Sequence, residues 1–250
     1  PAARTLQEDF DEEVAHAAVQ TIYDLARRGD NAGPWFQIAS FTSPHTPFVA
    51  DKKYWDRYDP DDIDLPLVGA LPFDDLDYAS RALFFAHGRH RHKVIEDDLR
   101  RARHGYYAMI SFIDDKVGEI LDALKRSGQA DNTVVIFCAD HGEMLGERGM
   151  WFKFNPYESS LRVPMIMQGP GVKAGHKEEA LASLVDLMPT FADIANGGTF
   201  DGYVSPVDGR SLLERPDPNS LENRVFIEST GESLYGPAFI MIEGRKKLVY

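Results

Sequence analysis

The chain has 250 residues, with 40 acidic against 27 basic side chains and a formal net charge of -13. That acidity, with no basic stripe to match phosphates, excludes a nucleic-acid binder, and the single cysteine, Cys138, excludes an internal disulfide framework. A length of 250 residues suits one large α/β domain or one and a half smaller ones, the hydrophobic content of 43% is ordinary for a globular protein, and no apolar run approaches the ~18 residues that span a bilayer.

Residues 8–28 carry Val14, Ala18, Ile22 and Leu25 close to the helical period, with Asp9 or Asp11 as the expected cap and Gly29 as the stop. Trp35–Ala39 reads as a strand that stops at Ser43-Pro44-His45-Thr46-Pro47, where two prolines fix the backbone around a histidine. Residues 51–80, rich in Asp, Pro and Tyr, have no lasting period. They read as a long surface loop with one helical turn at Tyr54–Tyr58, and a loop of that length is often functional. His87, His90 and His92 are interleaved with arginines and read as structural or solvated.

Residues 93–127 form the longest helical pattern, with Gly128 as the stop. Its basic run Arg100-Arg101-Ala102-Arg103 reads as a solvated helix face. Residues 133–139 are a β-branched strand, and Cys138 within it reads as a small core residue. Val163–Met167 is a further strand. Leu184–Ala195 is helical, with Asp186 near its start, and tolerates Pro189 only in the first turn. Residues 196–223 read as loop, and Arg224–Glu228, Ala238–Ile242 and Lys246–Tyr250 as successive strands of a meander or hairpin. The alternation predicts an α/β fold with a mostly parallel sheet flanked by helices. The expected division is a main domain over 1–223 and the start of a smaller C-terminal antiparallel β region over 224–250.

The chemistry concentrates after the strand at 133–139. Open α/β sheets bind ligands outside the carboxyl ends of their strands, and this strand ends in Asp140-His141-Gly142. A hard carboxylate beside an imidazole suits a divalent cation; the same pair would also serve as a capping Asp and a loop His. Glycines 142, 146 and 149 let the backbone turn tightly near a ligand. Lys153 lies among Trp151, Phe152 and Phe154. It is either a solvated lysine or the cation that neutralises an oxyanion in an acidic protein. His45 is either an ordinary loop histidine or a general acid and oxyanion donor.

The run Asp140-His141-Gly142-Glu143-Met144-Leu145-Gly146-Glu147-Arg148-Gly149, followed by Trp151-Phe152-Lys153 and Arg162-Val163-Pro164, resembles the sulfatases of the alkaline-phosphatase superfamily, and among them the choline-sulfatase group. The resemblance extends to Phe10–Arg27, Ser40–Phe48, Tyr54-Trp55, Tyr106–Gly118 and Val185–Thr190, and weakens across 59–92 and 196–223.

It implies Asp140 and His141 as ligands of one divalent cation, calcium or manganese, with magnesium as a further candidate. It implies His45 and Lys153 as the catalytic contacts to a sulfate and its bridging oxygen, although Thr46 departs from the family's Pro-His-Asp-Pro. Glu228 and Glu232 lie in Ile227–Glu232, which is similar to a family segment near the choline pocket, and the resemblance implies one of the two as a substrate contact to a quaternary ammonium. The implied activity is hydrolysis of a small sulfate ester, choline-O-sulfate first, to choline and sulfate. A phosphonate monoester or phosphodiester hydrolase of the same superfamily is the alternative, and a non-catalytic truncated protein is another.

The family's formylglycine arises from Cys/Ser-x-Pro-x-Arg and its metal site uses an N-terminal Asp-Asp pair; neither motif is found in this chain. The resemblance thus implies the middle and later part of a longer enzyme, with the nucleophile and C-terminal tail outside these residues and no turnover by this chain alone. It further implies a small-molecule sulfate ester as partner, no nucleic acid, no membrane, and a homo-oligomer, dimer or tetramer, in the full-length form. No signal peptide is visible, and the expectation is cytoplasmic.

Overall fold

The computed structural model describes residues 1–230 and 236–250, apart from the side chains of Asp30 and Ala79. Its helices are α1 (Leu6–Arg28), α2 (Lys52–Trp55), α3 (Tyr78–Ala86), α4 (Glu96–Arg126), α5 (Glu158–Leu161) and α6 (Leu187–Asn196). Its strands are β1 (Val135–Cys138), β2 (Met165–Gln168), β3 (Arg224–Ser229), β4 (Ala238–Glu243) and β5 (Lys246–Val249). Two compact units share them. The first comprises Pro1–Ala70, Arg89–Thr133 and Leu145–Met150; the second comprises Leu71–Gly88, Val134–Met144 and Trp151–Tyr250.

In the first unit, α1 starts on Thr5 rather than on Asp9 or Asp11. The Thr5 hydroxyl accepts the Glu8 N–H at 3.1 Å and the Glu8 carboxylate accepts the Thr5 N–H at 2.9 Å, a reciprocal capping box. Glu8 also accepts the Asp51 N–H at 2.7 Å. Asp11 is fully buried and used elsewhere: its two oxygens accept the Thr42 and Ser43 N–H groups at 2.6 and 2.9 Å. The first helix therefore fixes the backbone just ahead of His45.

The core of this unit is Ala50, Tyr54, Ala108, Met109, Phe112 and Ile113. The Tyr54 ring meets Phe112 edge-on at 5.4 Å. Burying each of the larger side chains contributes roughly 1.5–3 kcal/mol.

Gly105 sits inside α4, where alanine would normally be favoured by about 1 kcal/mol. A Cβ at that position would lie 2.2 Å from the Phe48 carbonyl oxygen. The glycine is what lets the strand of chain after His45 lie directly on the helix. Gly105→Ala is therefore expected to destabilise the chain, by about 1–3 kcal/mol as for an overpacked core. A urea-unfolding midpoint equal to or above wild type would show that the helix tolerates the methyl.

The basic run of α4 is not simply solvated. Arg103 is buried and donates to the Leu145 carbonyl at 3.1 Å and to the Asp64 carboxylate, while Arg100 donates to the Ile63 carbonyl at 2.6 Å. These carbonyls belong to irregular chain that has no ladder of its own, so the arginines satisfy it. Burial alone would raise Asp64, but hydrogen bonds from Tyr107 and Arg103 outweigh it and hold the carboxyl below its usual range.

Trp35–Ala39 joins no ladder among the described residues. A strand is a pairing, and apolar residues alone do not create its partner. In the long segment 51–80 the helical turn expected at Tyr54–Tyr58 lies earlier, as α2 at Lys52–Trp55, and the segment also runs into α3, a nine-residue helix that begins at Tyr78.

In the second unit, β1 and β2 pair antiparallel, with Phe137 opposite Ile166 and Cys138 opposite Met165. The β3-β4-β5 meander is antiparallel throughout. The α/β class holds, but the sheet expected to be mostly parallel is not what these strands build. Among the described residues the parallel pairing is the isolated Ala2–Asp51 bridge. A parallel crossover is usually made through a helix that runs the length of the sheet; the connection between β1 and β2 is long enough, but its helices are the four-residue α5 and a three-residue 3-10 turn at Glu147–Gly149.

A buried polar centre of this unit lies at α6. Asp186 is buried, accepts the Ser183 and Arg210 N–H groups at 2.9 and 2.8 Å, and pairs with the equally buried Arg215 at 3.0 Å. Pro189 does fall in the first turn of α6. Among the described residues no helix is long and apolar enough to cross a membrane.

Candidate functional site

Asp140 and His141 follow directly on β1. The Asp140 carboxylate accepts the His141 N–H at 2.9 Å, and its other oxygen lies 3.6 Å from His141 Nε2. His141 Nδ1 lies 2.8 Å from the Gly142 carbonyl oxygen. A carbonyl only accepts, so Nδ1 carries the proton and Nε2 presents its lone pair on the side of the carboxylate. The Asp140 side chain is 86% exposed, so the two donors open outward.

Gly142 is required here by contact rather than by φ. A Cβ on it would lie 2.0 Å from the Ser159 carbonyl oxygen, and its N–H donates to the Ser160 carbonyl at 2.8 Å. The turn is thus clamped against α5. Glycines 146 and 149 do turn the chain, with φ of 87° and 71°, but they pack against Leu99 and against Ala70 and Arg89 within the first unit.

Lys153 is half-buried, with Nζ 5.4 Å from the Phe154 ring centroid. Its neighbours Phe152 and Phe154 both have positive φ, 64° and 70°. Left-handed backbone costs a non-glycine residue about 1–2 kcal/mol, so the loop must be held from outside. The Phe152 carbonyl accepts the Met144 N–H at 2.9 Å, and the Phe152 N–H donates to the Glu143 carboxylate. Those bonds tie the lysine loop to the Asp140–Met144 turn. His87, read from sequence as structural or solvated, also meets this loop: its ring lies edge-on to Phe152 at 5.6 Å. Nothing in the spacing of the histidines could have revealed that contact.

His45 belongs to the first unit and is exposed. Its N–H donates to the Thr42 carbonyl at 3.0 Å and its carbonyl accepts from Gln7 at 3.0 Å. Nδ1 lies 2.9 Å from the Thr46 carbonyl oxygen, so it is the protonated nitrogen and Nε2 is the acceptor of the neutral ring. Asp11, the residue that fixes Thr42 and Ser43, was legible only as a helix cap, because its partners lie 31 and 32 positions away.

Glu228 is exposed on β3, opposite Phe239 in the register. Tyr250 pairs with Phe239 through two backbone hydrogen bonds of 2.8 and 2.9 Å, which puts carboxylate and both aromatics in one cross-strand row. Glu232 lies outside the described residues. Cys138 is half-buried, and burial, then the Asp140 carboxylate, push its thiol above its ordinary value. A thiol held protonated is a poor nucleophile, which agrees with a packing role.

A Sulfatase family model matches residues 2–197 of the chain. The chain belongs to the sulfatase family. It is 41% identical over 98% of its length to a choline-sulfatase of Rhizobium meliloti, covering 48% of that protein. It is 33% identical over 85% of its length to an arylsulfatase of Clostridium perfringens, covering 43% of it. Among solved structures it superposes on a phosphonate monoester hydrolase of Silicibacter pomeroyi with a TM-score of 0.71 and 26% identity, over 93% of this chain and 51% of that one. This sulfatase chain thus spans about half the length of the relatives it matches, and its fold is the α/β fold of alkaline-phosphatase-like sulfatases.

Sulfatases bind a divalent cation. The donor pair of this chain suits one: a hard carboxylate oxygen and an imidazole Nε2 3.6 Å apart, with the tautomer set by the Gly142 carbonyl. The pair is a partial set, since among the described residues no group of three or more His, Cys, Asp or Glu is assembled.

Proposed function

We propose that this sulfatase chain contributes part of the site of an enzyme that hydrolyses a small sulfate ester, choline-O-sulfate to choline and sulfate. The observation that carries the reading is the 41% identity to a choline-sulfatase over 98% of the chain. It is supported locally by an Asp140–His141 pair whose donors converge and a Lys153 loop bonded to the same turn.

Asp140 and His141 would hold the cation, which when bound supplies Lewis-acid stabilisation of charge on the sulfate oxygens. Lys153 offers a positive charge to the transferred sulfate, and in an acidic protein that charge is needed locally. His45 would hand a proton to the departing alkoxide. An unactivated alkoxide leaves poorly unless protonated; the imidazolium form of His45 would give up its Nε2 proton and return to the neutral ring, whose remaining Nδ1–H stays on the Thr46 carbonyl. Glu228, beside Phe239 and Tyr250, offers a carboxylate and aromatic faces to a quaternary ammonium; Glu232 is the second candidate for that contact. The nucleophile, a formylglycine, would come from residues beyond the 250, because no Cys/Ser-x-Pro-x-Arg occurs among them.

A second reading, hydrolysis of a phosphonate monoester, is favoured by the superposition on the Silicibacter pomeroyi enzyme. One substrate panel tests both. The isolated 250-residue chain is expected to release no sulfate from choline-O-sulfate, and a longer protein that supplies the nucleophile is expected to release it. Sulfate release by the isolated chain would refute the partial-site reading. Turnover of a phosphonate monoester by the longer protein, with none of the sulfate ester, would select the second reading. A longer protein inert on both would mark a non-catalytic member.

A further inference from the structure

We propose that α3 is a brace for the lysine loop, with Ser80, Tyr157 and His87 as positioning residues for Lys153; this rests on the reading of Lys153 as a sulfate contact.

The loop needs such a brace. Lys153 stands between Phe152 and Phe154, and both have positive φ. Strained backbone of this kind persists only where its surroundings over-determine it. The bonds from Glu143 and Met144 hold the loop at Phe152, and buried Asn155 donates to the Lys153 carbonyl at 3.4 Å.

The two ends of α3 fall on the two ends of this loop. At the N-terminal end, the Asp77 carboxylate caps the helix by accepting the Ser80 N–H at 2.9 Å. Its second oxygen accepts the Ser80 hydroxyl at 2.6 Å and the Tyr157 hydroxyl at 3.0 Å, and those two hydroxyls lie 2.8 Å apart. Both hydroxyl protons therefore go to the one Asp77 oxygen, two charge-assisted hydrogen bonds that meet at a single acceptor, with the Ser80 end buried and the Asp77–Tyr157 bond exposed.

At the C-terminal end stands His87. Its Nδ1 is the acceptor for the Trp151 N–H at 3.4 Å, and its ring meets Phe152 edge-on at 5.6 Å and 87°. A backbone N–H can only donate, so the ring must present Nδ1 without a proton for this bond to exist.

The helix between the two ends is itself fixed. Leu83 and Ala82 are buried, and Phe73 packs edge-on against Phe84 and Phe85. Trp151 and Phe152 are thus held at one end of a rigid rod and Tyr157 at the other, with Lys153 in the span between them. Such a span cannot relax its two left-handed residues without breaking one of the anchors.

The test uses amide hydrogen exchange on the 250-residue chain. Tyr157→Phe keeps the ring and removes the hydroxyl; His87→Leu removes the acceptor. Each is expected to accelerate exchange at the Trp151 and Phe152 amides about fivefold, the effect of losing one hydrogen bond on a local opening. Amides of α4, in the other unit, should keep their wild-type rates. His87→Asn, whose amide oxygen can still accept, is expected to restore protection at Trp151. Unchanged exchange in Tyr157→Phe and His87→Leu overturns the brace, and so does acceleration that spreads equally to α4.

The second arm uses the longer enzyme and choline-O-sulfate. Tyr157→Phe should lower kcat while KM stays within about twofold, and added to Lys153→Ala it should cause no further loss, because it acts through the lysine. Fully additive losses overturn that role. If the unmodified longer enzyme turns over no sulfate ester, the reading of the function has failed, and the exchange arm alone still decides whether α3 braces the loop.

Discussion

Asp186→Ala is expected to cost about 3–5 kcal/mol of folding stability, a large part of the ~5–15 kcal/mol that ordinary domains possess. The carboxylate is buried and its two oxygens serve three partners: the Ser183 N–H at 2.9 Å, the Arg210 N–H at 2.8 Å, and the Arg215 guanidinium at 3.0 Å. Removing it leaves a buried guanidinium with its main counter-charge gone, and Arg215 Nε has no hydrogen-bond partner even now. Two backbone donors are orphaned at the same time. The damage would spread along α6. Thr190, fully buried, donates to the Asp186 carbonyl at 2.6 Å and accepts the Leu212 N–H at 2.8 Å, so helix and following loop share this anchor. Urea unfolding of the 250-residue chain checks it. The double variant Asp186→Ala with Arg215→Met should recover part of the loss, since an apolar replacement of both partners is cheaper than a stranded charge. A single variant that unfolds within 1 kcal/mol of wild type would show that the pair is incidental.

Lys153→Ala in the longer enzyme should lower kcat about 10²–10³-fold, the usual cost of removing one preorganised group from a developing oxyanion. Asp140→Ala should be at least as damaging, because it strips the carboxylate from the donor pair with His141 Nε2. The thermal midpoint should barely move in either case. Asp140 is 86% exposed and accepts the N–H of its own neighbour, and Lys153 is only half-buried. Steady-state kinetics with choline-O-sulfate, read beside a melting curve, separates the outcomes. Near-normal kcat in Lys153→Ala would remove the lysine from the site, and a large fall in melting temperature would make its role structural.

Periodic or locally punctuated parts of the fold were legible in the sequence. The 31-residue α4 and the 23-residue α1 carry enough turns for an apolar stripe to stand out. The meander was legible from three short apolar runs, and Pro189 marked the first turn of α6. What escaped depends on partners distant in sequence. Asp11 has the chemistry of a cap, and only the fold shows that it serves Thr42 and Ser43 rather than α1. Trp35–Ala39 has the composition of a strand and no ladder, while the direction in which β1 and β2 pair is written in the connection between them. Nine residues give α3 too few turns to show a period. At the site, Asp140, His141 and Lys153 could be named from their motif. The reason the motif needs Gly142 could not, because the Ser159 carbonyl that fills the space lies 17 positions on.

The two units are threaded through each other in sequence: the chain changes unit after Ala70, Gly88, Thr133, Met144 and Met150. Neither can be excised as one uninterrupted stretch of gene, and a cut anywhere between 71 and 150 strands pieces of both. Each unit can close only after distant stretches have met, so loop closure precedes most of the reward of packing. The Asp140–Lys153 motif straddles two of these crossings. The segment richest in chemistry is therefore shared between the units, and a deletion inside it takes residues from both at once.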